Sequence, residues 1–538
     1  MLFKEHGWAL GLTLLTLFPP SETCSNLDCM RHGSILKKEE QCAVVVYTTG
    51  HGVLSAWSIH LSCSACHTNY HNDYSVCNGI HMYCPKKPTY IQVREHQFVE
   101  EKVVALWTGQ MLLGWFSASN AAKLYDMAMA RDYLKGSEWP FGTKLTTNHV
   151  WDGFILAALL ADHQWQGTCL QVPHTGEQKD RFKAAMESQN EHIVLYGQPG
   201  AVHHVCHKCM CVYEMDGEYH IVGKCQVIVG DGINMGHPCC GIFRCVLPLD
   251  NNRHHFCLMH FSHHDICAIK GCDLPVVKDK KTCSLAAHQK MEEINTAHGK
   301  AAFMLKQRLQ HAKVSNPTHA IVTSYEMEAE ADDVEEHNEW FKIAGEDVHM
   351  FNAPNPPSIG VVDNAMDIEV PCPSKKLDTG NTKVKAQFGR RRMHNEQTLV
   401  HPCSIIFAWA TMYGAEAVSN FLVMVKNAFS VPGAQKPEHL IYDSNCDAKQ
   451  QVMASQDPYF QDMGMCVDVW HFLNKHKVTH HFCQENCNPA MYPELQDGEK
   501  GAWFFNTSVM EQTNAWLGGY HSMCREMLPA KFNFFLMR

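Results

Sequence analysis

Cysteine and histidine carry most of the chemistry legible in this chain: 26 Cys and 36 His occur among 538 residues. Thiolate and imidazole are the standard ligands of zinc, so enrichment in both together points to metal. The first cluster is Cys24-x4-Cys29 followed by Cys63-x2-Cys66. Two close pairs separated by a loop fit a tetrahedral site made of four cysteines. The second cluster is denser: Cys206, Cys209, His237, Cys239, Cys240, Cys245, Cys257, His260, Cys267, Cys272, Cys283 and His288. It divides into three sets of four: Cys206, Cys209, His237 and Cys239; Cys240, Cys245, Cys257 and His260; Cys267, Cys272, Cys283 and His288. The spacing is stronger evidence for metal than for this particular partition. A third constellation is His471-x4-His476 with Cys483-x3-Cys487. Four-ligand sites of this kind are closed, so the zinc they imply is structural and adds folding energy where the local core is small.

Two other chemistries compete for the same residues. An even number of cysteines permits full pairing in a secreted, disulfide-rich chain. Cys63-Ser-Ala-Cys66-His67 spells the attachment pattern of a c-type haem. A disulfide net has no use for His260 three residues after Cys257, or for His288 five after Cys283, which favours metal. The apolar run Trp8 to Phe18 has the length of a signal-peptide core, but Glu5 spoils the basic flank and no small-x-small cleavage site follows. It reads as a short buried helix. Cys42, Cys77, Cys84 and Cys225 are left without partners, as ordinary buried cysteines.

A formal charge of −11 excludes a uniformly basic nucleic-acid binder, though not a local basic patch. A hydrophobic fraction of 45% excludes wholesale disorder. No stretch of ~18 uninterrupted apolar residues is present, so no membrane span is expected. The elements that must position the ligands suggest a multidomain α+β chain in five segments. These are an apolar N-terminal segment (1–19), a first cysteine cluster with a helical region (20–165), and a second cluster with a packing helix at Met291 to Val314 (166–325). An acidic, proline-bearing linker (326–381) and an α/β region (382–538) follow. In the first cluster region, Val103 to Trp115 and Asn120 to Leu134 read as helices, and Phe154 to Ala161 as a fully buried helical run. In the last segment, Val384 to Phe388, Ser404 to Thr411, Leu440 to Asp443 and Val467 to Phe472 read as strands. Ala415 to Phe429 and Glu511 to Met527 read as helices.

Several longer motifs resemble a known family: Trp151-Asp152-Gly153-Phe154 through Asp162-His163, Gly236-His237-Pro238-Cys239-Cys240, and Phe256-Cys257-x2-His260. Phe388-Gly389-Arg390-Arg391-Arg392-x-His394-Asn395-Glu396 and Glu511-Gln512-Thr513-Asn514-Ala515-Trp516 complete the set. Together they resemble the fungal proteins that pair CxC-type cysteine clusters with a Kyakuja-Dileera-Zisupton (KDZ) transposase-like domain. The resemblance runs from about residue 20 to 530.

What it implies is a DDE-type transposase lineage with an RNase H-like core, in which three carboxylates hold two Mg²⁺ ions for phosphoryl transfer on DNA. Asp443, in Tyr442-Asp443-Ser444-Asn445-Cys446, matches the second acid, and Glu511 matches the helix-borne third. His471, His476, Cys483 and Cys487 match a His/Cys-rich insertion between them. The first acid is expected near Ala386, where no carboxylate stands; Asp378 and Glu396 are the nearest substitutes. A missing ligand implies weakened or lost strand transfer, or a binding module without catalysis. Lys383, Lys385, Arg390, Arg391 and Arg392 form a basic patch suited to DNA phosphates. The resemblance further implies a nuclear protein with DNA as partner, no membrane, and protein partners or self-association left open.

Overall fold

The computed structural model describes residues 10, 12–83, 88–130, 139–215, 221–298, 339–344, 347–351, 382–477, 479–497 and 502–538. The chain divides into two compact units, Met1–Tyr196 with Ala530–Arg538, and Gly197–Pro529.

The first unit is built on a nine-stranded sheet. Its strands are β1 (Leu15–Leu17), β2 (Lys37–Thr48), β3 (Gly52–Ser62), β4 (Asn69–Tyr70), β5 (Tyr74–Cys77), β6 (Ile80–Tyr83), β7 (Tyr90–Arg94), β8 (Gln97–Glu100) and β9 (Gln171–Pro173). The order is β7-β8-β2-β3-β4-β5-β6-β9, with β1 parallel to β3. Of the apolar N-terminal run, Leu15–Leu17 forms a strand, and the other described residues form no α-helix, in place of the expected buried helix. Leu17 is buried while Leu10, Leu12, Leu14 and Phe18 are exposed. A short segment that cannot bury a helical stripe gains more by adding backbone hydrogen bonds to the long β2–β3 hairpin.

Helices α1 (Glu101–Gly114), α2 (Ala118–Ala128) and α3 (Thr147–Gln166) belong to this unit. Ser117 caps α2 by accepting from Asn120 N at 3.2 Å. Thr146 and His149 form a capping box at the start of α3. The apolar run in α3 is buried at Phe154, Ile155, Leu156, Leu159 and Leu160. The C-terminal helix Pro529–Leu536 closes on it, with the Phe535 ring 5.8 Å from those of Trp151 and Phe154. β9 pairs with β6, so the first unit extends past 165.

The second unit holds a six-stranded sheet. Its members are β10 (Met210–Met215), β11 (Ile221–Ile233), β15 (Asn395–Val400), β16 (Ile406–Met412), β17 (His439–Tyr442) and β18 (Gly464–Cys466). The order is β16-β15-β11-β17-β18, with β10 paired to the start of β11. β11 is antiparallel to β15 and parallel to β17; β15–β16 is antiparallel and β17–β18 parallel. Both faces of β11 are covered, which is why Val227, Ile228 and Val229 form a continuous apolar run. On one face Ile228, Leu399, Leu440 and Tyr442 pack on Phe421 and Val425 of the helix Val418–Ala428. On the other, Val227, Val229, Val400 and Ile441 pack on Val509 and Met510 of the helix Val509–Gly518.

The stretch between β11 and β15 is a large insertion. It contains a three-stranded sheet, β13-β12-β14, from β12 (Glu339–Ala344), β13 (Asp347–Phe351) and β14 (Thr382–Ala386). β12 and β13 fall inside the segment read as linker. Phe341 and Val348 join Cys267, Ile269, Cys283, Met291, Ala386 and Phe388 in one small core. Of the helix expected over Met291 to Val314, residues 291–298 are helical and the remainder lies outside the described residues, as do the acidic block from Glu326 to Glu336 and Asn355-Pro356-Pro357-Ser358. Val467 to Phe472, read as a strand, is largely helix: Asp468 caps Val469–Asn474 by accepting from Trp470 N and His471 N. The closing helix breaks into Val509–Gly518 and His521–Cys524.

Candidate metal centres and a carboxylate cleft

Short-range turns bring cysteine and histidine side chains into compact groups. Cys24, Cys29, Cys63 and Cys66 converge, with Sγ–Sγ separations of 3.8 Å for Cys24–Cys66 and 3.7 Å for Cys29–Cys63. A tetrahedral zinc with Zn–S of ~2.3 Å has S–S edges of ~3.8 Å. Because Cys63 and Cys66 face the earlier pair, and His67 is an exposed residue at φ 55°, these thiols are engaged in a way that haem attachment does not call for. All the described cysteines are free thiols.

Cys240, Cys245, Cys257 and His260 form a second group, and Cys267, Cys272, Cys283 and His288 a third, each in the partition read from spacing. His260 Nδ1 lies 3.6, 3.5 and 3.2 Å from the sulfurs of Cys240, Cys245 and Cys257. His288 Nδ1 lies 3.5 Å from Cys267 and 3.2 Å from Cys283. These cysteine and histidine groups can hold metal ions.

The remaining partition is corrected. His237 and Cys239 are buried but do not join Cys206 and Cys209. His237 Nδ1 sits 3.1 Å from the Pro238 carbonyl, and Cys239 N donates to the Arg391 carbonyl at 3.0 Å. Burial pushes the Cys239 thiol up to about 12. Cys206 and Cys209 turn instead toward His204 and Cys403. In the C-terminal constellation, Cys446, His476, His480 and Cys483 converge, while Cys487 packs on Cys446 and Cys483. His471 leaves this group altogether. Its Nδ1 is hydrogen bonded to Asp468, and its Nε2 lies 3.5 Å from Glu511 Oε1.

His471 belongs to a cleft lined by Asp231, Asp443, Asp468, His471, Ser508 and Glu511. The parallel register pairs Gly230 with Tyr442, so Asp231 and Asp443 come next on adjacent strands. Glu511 enters from the first turn of Val509–Gly518, on the face that Val229 and Ile441 share. Asp231, which the sequence reading did not single out, lines the same cleft. Ala386, where the first acid was expected, is fully buried in β14 of the separate three-stranded sheet. Glu396 is no substitute: it is 1% exposed on β15 and accepts from the Thr411 hydroxyl at 2.8 Å. Asp378 lies outside the described residues.

Burial and the neighbouring Asp443 carboxylate push Asp231 up to about 8, with Glu416 and Glu511 adding to the effect. Asp443 is raised by burial and by Glu416. The hydrogen bond to Asp468 raises His471. Among the described residues, Asp231 accepts from its own Gly232 N at 2.7 Å and from Asn514 Nδ2 at 2.8 Å. Converging carboxylates are hard oxygen ligands suited to a divalent cation.

The basic patch is largely spent internally. Glu526 pairs with Arg390 at 2.9 Å and with Arg392 at 2.7 Å, and Arg392 also donates to the Gly236 carbonyl at 2.7 Å. Arg391 differs: it donates to the Tyr413 carbonyl at 3.4 Å and lies 5.6 Å over the Phe243 ring. Lys385 lies on β14, and Lys383 occupies the same strand opposite Lys342.

With this geometry in place, two segments of the chain match known families. Residues 12–129 match the CxC5 like cysteine cluster associated with KDZ transposases, a segment that contains the Cys24 group. Residues 229–294 match the CxC6 like cysteine cluster associated with KDZ transposases. That second segment spans Asp231 and both the Cys240 and Cys267 groups. The two matches support a KDZ-transposase-like protein. No curated protein and no solved structure matches the chain.

Proposed function

We infer that the chain is a transposase-derived, zinc-structured protein that performs phosphoryl transfer on DNA through Asp231, Asp443 and Glu511. The observation that carries this reading is the side-by-side placement of Asp231 and Asp443, each just past the last pair that joins the parallel strands β11 and β17, with Glu511 lining the same cleft from a helix. A central strand flanked by an antiparallel pair on one side and parallel strands on the other supports an RNase H-like core. The cysteine groups are read as structural zinc sites because their sulfur–sulfur edges agree with tetrahedral zinc.

The donor set fits Mg²⁺, which would supply activation of a water or 3′-hydroxyl and stabilisation of the leaving oxygen when bound. The chain's own contribution is placement. β11 and β17 fix Asp231 and Asp443 rigidly, since both strands are buried. Asn514 orients Asp231 through Oδ2. Asp468 holds the His471 ring so that Nε2 faces Glu511. With three carboxylates in the cleft, the expected loss of strand transfer has no missing ligand to rest on.

DNA contact is assigned to the Cys240 module. Phe243 is 56% exposed, with Arg244 5.1 Å and Arg391 5.6 Å from its ring centre. An exposed ring with two guanidinium groups beside it suits base stacking with phosphate contact. Acting on DNA would place the protein in the nucleus. The test is nicking of plasmid DNA with Mg²⁺ or Mn²⁺. Wild type should nick, and Asp231→Asn, Asp443→Asn and Glu511→Gln should each lower the rate by at least ~100-fold. Equal nicking by all four proteins would refute the assignment.

A further inference from the structure

His204, Cys206, Cys209 and Cys403 lie outside both matched cysteine-cluster segments, yet their donor atoms all fall within 4.8 Å of one another. Cys206 Sγ and Cys209 Sγ are 3.4 Å apart, and Cys403 Sγ is 3.2 Å from His204 Nε2. The sulfurs are too far apart for a disulfide bond of ~2.05 Å. The separations are those of neighbouring ligands on one ion.

Local structure presents each donor. Cys209 N and Met210 N both donate to the Cys206 carbonyl, at 3.0 and 3.1 Å, forming the tight turn that converges two thiols three residues apart. Cys403 sits in the turn between β15 and β16. There His401 N donates to the Ile405 carbonyl and Ser404 N to the His401 carbonyl, each at 2.8 Å. Ser404 takes up φ 74° to close that turn. Cys209 is 3% exposed, so one thiol is withdrawn from solvent. Three thiols and one imidazole in a closed group select zinc over hard cations, which prefer oxygen.

We propose that His204, Cys206, Cys209 and Cys403 form a further structural zinc site that belongs to the sheet of the second unit rather than to either cysteine-cluster module. Its place in the fold gives it a role. Cys209 immediately precedes β10, which leads into β11, and Cys403 lies in the β15–β16 turn. The ion ties the entrance of the hairpin carrying Asp231 to the far end of the antiparallel pair beside it. Sequence-distant parts of one sheet are joined through a single Cys403 contact, which replaces loop-closure entropy with metal–ligand bonds.

The test is zinc content of the purified full chain by elemental analysis, in equilibrium with a weak chelator. The double variant His204→Ala/Cys403→Ser should hold one zinc equivalent fewer than wild type. An unchanged zinc content would overturn the proposal. Loss of more than one equivalent would signal wider unfolding, and Cys403→His then decides. It should keep the wild-type metal content and, after cobalt substitution, move the visible d–d absorption to shorter wavelength as one thiolate is replaced by imidazole. A cobalt spectrum identical to that of wild type would also overturn it. Neither readout depends on DNA or on phosphoryl transfer.

Discussion

Asp231 and Asp443 stand side by side, each one residue beyond the Gly230–Tyr442 pair that joins β11 to β17, with Asp231 still paired to Thr398 of β15. The two carboxylates share one environment, and each is harder to ionise because of its own burial and, after that, the carboxylates beside it. On the opposite face of the same strand end stands Gly230, where no side chain would fit.

A Cβ at position 230 would stand 2.4 Å from Phe421 Cζ and 3.3 Å from Leu399 Cδ2. Gly230→Ala should cost about 1–3 kcal/mol through overpacking. Chemical denaturation of the full chain checks this. Mn²⁺ binding and unfolding should worsen together, since the displaced strand carries Asp231.

The Cys240 and Cys24 groups should behave as separate metal-dependent folding units. Cys257→Ser should remove one zinc equivalent, and Cys63→Ser another, each with a lowered melting temperature. Elemental analysis and a thermal melt of each variant check the pairing. A chelator that strips zinc without changing the melt would contradict a structural role.

Asp73 gives the first unit a pH signature. It is 1% exposed, accepts from Gln92 N at 2.9 Å through Oδ2, and has no partner at Oδ1 among the described residues. Burial pushes its carboxyl up to about 7 from 3.8. The folded state thus holds a proton that the unfolded state releases. Stability contributed by protonated Asp73 is full below about pH 4 and is lost as the pH rises toward 7, by up to ~4 kcal/mol. Asp73→Asn should flatten this part of the stability–pH profile and leave the chain more stable at about pH 8 than wild type.

The arginine run should split by role. Arg391→Ala should weaken DNA binding and reduce the salt dependence of log K by about one, with little effect on unfolding. Arg392→Ala should instead lower stability by about 1–2 kcal/mol, because its head satisfies Gly236 and Glu526. Fluorescence anisotropy at several salt concentrations and a denaturant titration separate the two.

Metal groups with short internal spacing were legible from sequence. A zinc turn fixes neighbouring ligands within a few residues, so Cys24/Cys29/Cys63/Cys66 and the two sets ending in His260 and His288 could be partitioned by counting. Ligands contributed from across the fold could not: Cys403 and Cys446 are brought in by sheet formation. Asp231 was missed because the insertion between Ile233 and Asn395 separates β11 from the strands it joins, so the first acid was sought beside Phe388. A local signal existed. Val227-Ile228-Val229-Gly230-Asp231 is an apolar run ending on an acid, like Leu440-Ile441-Tyr442-Asp443. Val467 to Phe472 misled for the opposite reason: its apolar composition suits a strand, but the Asp468 cap starts a helix there and gives His471 to the acid cleft rather than to the cysteines.

A single cation site made by Asp231 and Asp443 is tested most directly by calorimetric titration of the zinc-loaded full chain with Mn²⁺. Wild type should bind Mn²⁺, and Asp231→Asn and Asp443→Asn should each weaken that binding by at least ~10-fold, with zinc content unchanged. Mn²⁺ affinity that survives Asp231→Asn but falls in Asp443→Asn would contradict a shared site.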